Sequence, residues 1–211
     1  GLISDTGRRL DNLELSLGVI GPSSLAEPVQ EAVHDWTASP DPSGWDNQLN
    51  DEPAIMLSYE RKWRGLYEFS PFGLGADIAP HLGGSVGNVF TQAIGGATAR
   101  IGFDLPADYG PPRIRPSLPG SDFYIPTRRL GGYLFAGLEG RAVAYNAFLD
   151  GNMFKDSHSV DREPFVGSLQ FGAVLTFHYV RLGYTHVFMT EEFKGQKAGD
   201  QFGAITLSLR F

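Results

Sequence analysis

FVGSLQFGAVLTFH (165–178) and GAITLSLRF (203–211) are the stretches whose reading decides the fold. In the first, Phe165, Gly167, Leu169, Phe171, Ala173, Leu175 and Phe177 alternate with Val166, Ser168, Gln170, Gly172, Val174, Thr176 and His178. In the second, Ile205, Leu207, Leu209 and Phe211 alternate with Thr206, Ser208 and Arg210. Val180, Leu182 and Tyr184 between them alternate with Arg181, Gly183 and Thr185. A period of two over about ten residues is a strand with one apolar face. Such strands suit a barrel in lipid, with polar residues turned to the lumen. A soluble sandwich or a lipocalin-like barrel reads similarly strand by strand, with its apolar faces inward. Three features favour the membrane barrel. The polar faces carry Gly, Ser, Thr and isolated charges; aromatics gather near strand ends; and the sequence ends on Phe211 inside a strand. The expectation is that Ile205, Leu207, Leu209 and Phe211 face lipid, and that Thr206, Ser208 and Arg210 face the lumen.

The pattern extends through the rest of the chain. Leu2–Thr6 reads as the tail of a strand, followed by a polar turn over Gly7–Asn12 and a strand over Asn12–Ile20. Pro53–Trp63 sets Ile55, Leu57 and Tyr59 against Ser58, Glu60 and Lys62. Leu66–Leu82 is strand-like, Gly83-Gly84-Ser85 reads as a turn, and Val89–Phe103 is a strand rich in Gly and Ala. Leu105–Arg128, rich in proline, reads as a long irregular loop. Leu130–Leu149 sets Leu134, Ala136, Leu138, Ala142 and Ala144 against Tyr133, Glu139, Arg141 and Tyr145, with Glu139 and Arg141 placed to pair. The count is about nine strands in one domain, residues 1–211. Counting back from a last strand that ends in the periplasm puts the loops after Ile20, Leu82, Leu149 and Thr190 outside the cell. An odd count beginning inside a strand implies that Leu2–Thr6 and Gly203–Phe211 do not close a barrel by themselves.

One segment breaks the pattern of strands. Over Gly18–Gln48, Leu25, Val29, Val33 and Trp36 recur at helical spacing. Ser24 and Glu27 fit a capping box, and Pro28 falls in the first turn. Gln30 and His34, four apart, share a face away from that stripe. On local pattern alone His34 reads as a solvated histidine on a surface helix.

Composition excludes some classes. With no cysteine among 211 residues there are neither disulfides nor thiolate metal sites. A net charge of −7 argues against a nucleic-acid partner. No apolar run reaches the roughly 18 residues of a membrane helix.

The run NLELSLGVIGPSS (12–24), then Gln30-x-x-x-His34, then Gly44-Trp45-Asp46-Asn47-Gln48-Leu49, resembles the outer-membrane lipid A deacylases. Gly87-Asn88-Val89, Arg100-x-Gly102 and Phe148-Leu149-Asp150-Gly151 extend the resemblance over essentially the whole chain. It implies a calcium-dependent esterase in a twelve-stranded barrel of the bacterial outer membrane, removing the 3′-acyloxyacyl chain of lipid A. His34 matches the general base, with Gln30 beside it. The family's Asn-Asp pair that goes with calcium, its hydroxyl residue and its lysine have no match here. The chain reads as lacking the N-terminal strands that carry them, so no calcium ligand is assigned to it. The implied partners are lipid A or lipopolysaccharide, outer-membrane lipids and, through the Phe211 strand, the barrel-insertion machinery. The implied state is a monomer. The competing readings are a non-catalytic barrel, pore or structural, and a soluble lipocalin-like binder. Paired charges at Glu14, Glu60, Glu139, Arg141 and Arg210 would plug a pore.

Overall fold

The computed structural model describes residues 1–40, 43–111 and 127–210, without the side chains of 127–129. Its strands are β1 (Leu2–Asp5), β2 (Arg9–Ile20), β3 (Glu52–Trp63), β4 (Tyr67–Phe69), β5 (Gly75–Gly87), β6 (Phe90–Phe103), β7 (Thr127–Asn146), β8 (Phe165–His178), β9 (Val180–Met189) and β10 (Gln201–Leu209). Nine of them follow one antiparallel path, β1-β2-β3-β5-β6-β7-β8-β9-β10, with short β4 paired to β5 off it. Among the described residues, β1 pairs with β2 and β10 with β9, and no ladder joins β1 to β10.

Burial runs opposite to that of a soluble barrel. On β3, Ser58, Glu60 and Lys62 are buried while Ile55, Leu57 and Tyr59 are exposed. On β10, Ile205, Leu207 and Leu209 are exposed, Ser208 is buried and Thr206 half-buried. Only a lipid surround makes an outward apolar band favourable on a strand scaffold with satisfied backbone groups. The lipocalin-like reading needs these faces reversed and does not survive. Arg210 lies beyond the end of β10 and is exposed, its N–H bonded to Tyr179 O at 3.0 Å, so it is not a buried lumen residue. Phe211 lies outside the described residues.

The interior holds paired charge. Lys62 Nζ is 3.3 Å from Glu60, and His81 Nε2 is 3.0 Å from Glu139 across β6. Gly96 lies between that histidine and that carboxylate; a Cβ there would come within 2.5 Å of the imidazole. Glu139 therefore meets His81 over Gly96, and Arg141 pairs instead with Glu192 at 3.0 Å, although the same two-residue spacing does give a pair at Glu60 and Lys62.

Other boundaries differ from expectation. Gly83-Gly84-Ser85 lies inside β5, and the turn comes at Asn88. These glycines mark close backbone approach, since a Cβ on Gly83 would lie 2.6 Å from Tyr59 O and one on Gly84 2.6 Å from Gln92 O. Leu66–Leu82 is interrupted by a 3₁₀ turn at Pro71–Gly73. Strand β7 stops at Asn146, whose Oδ1 accepts from Phe148 N at 3.0 Å while Asp150 accepts from Asn146 N at 2.8 Å. That reciprocal cap folds Ala147–Asp150 into one turn, α2.

Of the proline-rich loop expected over Leu105–Arg128, residues 105–111 are described and pack inward as a plug, while Thr127 and Arg128 already belong to β7. Asp108 is fully buried between Arg100 and Arg181, and Tyr109 reaches Asp5 on β1. The antiparallel path puts this plug at the end of the sheet opposite the connection after Ile20.

Candidate active site

Strand β2 carries the chain to Gly21-Pro22, where proline starts a 3₁₀ turn, Pro22–Ser24. The helix α1 (Ala26–Thr37) therefore begins one residue later than a Ser24 cap would place it. Its N-cap is Leu25, at φ 57°, with no side-chain cap bond. Ser24 Oγ accepts only a long 3.4 Å contact from Ala26 N, and Glu27 instead accepts from Gln48 Nε2 at 2.9 Å. The capping box is thus replaced by a clasp between the first turn of α1 and the Gly44–Leu49 segment. The stripe Leu25, Val29, Val33 and Trp36 is exposed, Trp36 at 86%.

Gln30 and His34 share a face, as the spacing requires, with Gln30 Nε2 3.5 Å from His34 Nε2. The other ring nitrogen, His34 Nδ1, lies 2.6 Å from Pro40 O. Gln30 also lines a cleft of about 800 Å³ with Val19, Trp45, Leu149 and Val160. That volume is in the range of small-molecule and cofactor sites. His34 is one turn beyond its wall. Trp45 Nε1 is buried there with no hydrogen-bond partner among the described residues. A second depression of about 870 Å³, at Arg141, Phe165 and Lys194, contains neither Gln30 nor His34. The cleft beside α1 is the better candidate because the candidate helix forms its wall.

The rim is pinned by contacts that sequence reading missed. Asn50 N donates to Asn152 Oδ1 at 2.9 Å, and Asn152 Nδ2 returns a bond to Asn50 O at 2.8 Å. Buried Glu52 accepts from Asn88 Nδ2 at 2.7 Å and from the backbone of Phe154 at 3.1 Å. Arg162 holds Asp150 at 2.6 Å. The motif residues Asn88, Arg100 and Asp150 are therefore joints of the scaffold, and no spacing in the sequence pairs them with their partners.

Asp51 staples the entry to α1, accepting from Ser23 N and Ser23 Oγ, both at 2.8 Å. The Ser23 N–H, then its hydroxyl, hold this carboxyl below its ordinary 3.8. A lowered folded value means the staple is at full strength above the ordinary value and is lost as pH falls through the folded one. Exchange protection of the Ser23 amide in detergent-folded protein should fall on acidification below about pH 4, and Asp51→Asn should lack that protection at neutral pH. Unchanged protection in both cases would remove the staple.

Among the described residues, no group of three or more His, Asp or Glu could hold a metal ion. The calcium implied by resemblance therefore has no fitted site here.

A family model described as "Outer membrane protein LpxR" matches residues 1–211. No curated protein matches the chain. Among solved structures, LpxR from Salmonella typhimurium matches with a TM-score of 0.78 at 21% identity, covering 98% of this chain and 69% of that one. At that identity the likeness speaks for the fold, an outer-membrane β-barrel wall. With the family model spanning all its residues, the chain belongs to the LpxR family of outer membrane proteins, the lipid A deacylase family its motifs resemble.

Proposed function

We propose that this chain carries the base of a lipid A deacylase that hydrolyses the ester-linked 3′-acyloxyacyl chain. The observation that carries the reading is the Gln30–His34 pair on one face of α1, beside an apolar-walled cleft at the rim of a lipid-facing sheet. An ester at the outer leaflet meets this rim without leaving the membrane. His34 Nε2 takes a proton from water; the hydroxide adds to the ester carbonyl. The tetrahedral adduct collapses with the sugar oxygen as leaving group, and the imidazolium returns the proton to it, giving an alcohol and a fatty acid. Gln30 offers an amide N–H to Nε2 at 3.5 Å, a distance long enough to yield to the water.

Calcium remains an expectation of the family. The described residues do not assemble its site, and no step above runs through it. Lipid A or lipopolysaccharide is the proposed substrate, outer-membrane lipids the surround and the insertion machinery the partner of the terminal strand, with a monomer as the working state. The pore reading is disfavoured by the charge test. Of the five charges Glu14, Glu60, Glu139, Arg141 and Arg210, ion pairs hold Glu60, Glu139 and Arg141, and the Asp108 segment is buried at one end of the sheet.

The test is mass spectrometry of lipid A from outer membranes carrying the intact protein. Loss of the 3′-acyloxyacyl mass is expected, and unchanged lipid A would sink the reading. Gln30→Ala should lower the rate by about tenfold, less than loss of the base, since an amide orients but cannot accept the proton. A Gln30→Ala variant as inactive as one lacking the histidine would give Gln30 a larger role than this.

A further inference from the structure

We infer that the carbonyl of Pro40 is the positioning group for His34, fixing its proton on Nδ1 and leaving Nε2 as the free base. The inference rests on the reading of His34 as base. A carbonyl oxygen only accepts, so the 2.6 Å contact from Nδ1 to Pro40 O requires the ring proton on that nitrogen. The neutral imidazole then has its lone pair on Nε2, where Gln30 presents its amide nitrogen. In a histidine base the group that holds the second nitrogen sets tautomer and ring orientation. Here a backbone oxygen takes that place.

The local fold delivers it. Ala38 is the C-cap of α1 at φ 50°, and its N–H donates to Asp35 O and His34 O. Ser39 N donates to His34 O at 2.9 Å. Thr37 Oγ1 bonds Val33 O at 2.8 Å and lies 2.9 Å from Ser39 Oγ. The chain therefore reverses over the last turn, and proline restricts the residue before it to extended conformations. The outcome is a hook, residues 38–40, whose carbonyl closes on a ring six residues back.

Changing Pro40 would not remove its carbonyl, so the test acts on the hinge. A β-branched residue is strained at positive φ, whereas glycine is at ease there. Ala38→Ile should open the hook and Ala38→Gly should keep it. The intact protein is ¹⁵N-labelled at histidine, folded in detergent, and His34 assigned by comparison with His34→Ala. The expected ¹⁵N shifts show the Nδ1–H tautomer in the parent and in Ala38→Gly, and a mixture in Ala38→Ile. Turnover of lipid A by Ala38→Ile should drop roughly tenfold or more at unchanged KM, but by less than the about 10²–10⁴-fold that outright loss of a base costs. Ala38→Gly should retain it. A parent His34 protonated on Nε2, or shifts that Ala38→Ile leaves alone, overturns the proposal whatever the activity. A tautomer change with full turnover also overturns it, and the His34→Ala assay then says whether the base assignment falls too. Heat-modifiable gel mobility confirms that each variant is folded.

Discussion

Replacing His34 by alanine should abolish deacylation while leaving the sheet folded. The size follows from its chemistry, since removal of a general base costs about 10²–10⁴-fold in rate. The sparing of the fold follows from its place. His34 is partly exposed on a helix with no buried residue, and its side-chain bonds are to Gln30 and Pro40 O, both in the same rim segment. None of the interior pairs, Lys62–Glu60, His81–Glu139 or Arg100–Asp108, involves it. Lipid A mass spectrometry reads the first effect and heat-modifiable gel mobility the second. His34→Ala membranes that deacylate like the parent would make the histidine a bystander on a surface helix. The exposed stripe Leu25, Val29, Val33 and Trp36 would then be the more telling face of α1.

The alternation that marked β8 and β10 was legible because a lipid-facing strand follows one rule at every second residue. The count of nine agrees with the path of the sheet for the same reason. Sequence reading failed where one residue type serves two geometries. Glycine at 83 and 84 signals a turn, yet here it lets neighbouring backbones approach inside β5. Ser24 and Glu27 have the spacing of a cap, but Pro22 imposes a 3₁₀ turn first and Glu27 is taken by Gln48. Charge partners were likewise illegible. Glu139 and Arg141 are two apart in sequence, while His81, 58 residues before Glu139, is the partner set by cross-strand register. Gln30 and His34 were readable as a pair because helical spacing is local. Pro40 was not, because its contact depends on the reversal at Ala38. The plug was missed because proline-rich sequence reads as loop without saying where the loop goes.

That plug carries the second large effect. Asp108→Ala should destabilise the folded protein by about 3–5 kcal/mol, the usual cost of breaking a buried ion pair from one side. Asp108 has no solvent exposure and meets Arg100 Nη1, Arg181 Nη2 at 3.2 Å and the Tyr133 hydroxyl at 3.0 Å. Arg100 also grips Asp77, with Nε 2.7 Å from Oδ1. Among these four charged groups two cations face two anions, and alanine at 108 leaves two cations against one. Asp108→Asn separates charge from shape. It keeps the volume and a partner for Tyr133, so a cost close to that of alanine assigns the effect to charge. A cost near zero assigns it to packing and contradicts the ion-pair account. Tyr133→Phe removes one hydroxyl from a buried carboxylate and should cost about 1–3 kcal/mol. The readout is the temperature or urea concentration at which gel mobility converts from folded to unfolded. Because the plug and the α1 rim lie at opposite ends of the sheet, Asp108→Ala protein that is still folded should deacylate at the parent's rate. A loss of turnover below the melting transition would mean that the two ends are coupled through the interior charges, with His81–Glu139 between them as the first place to look.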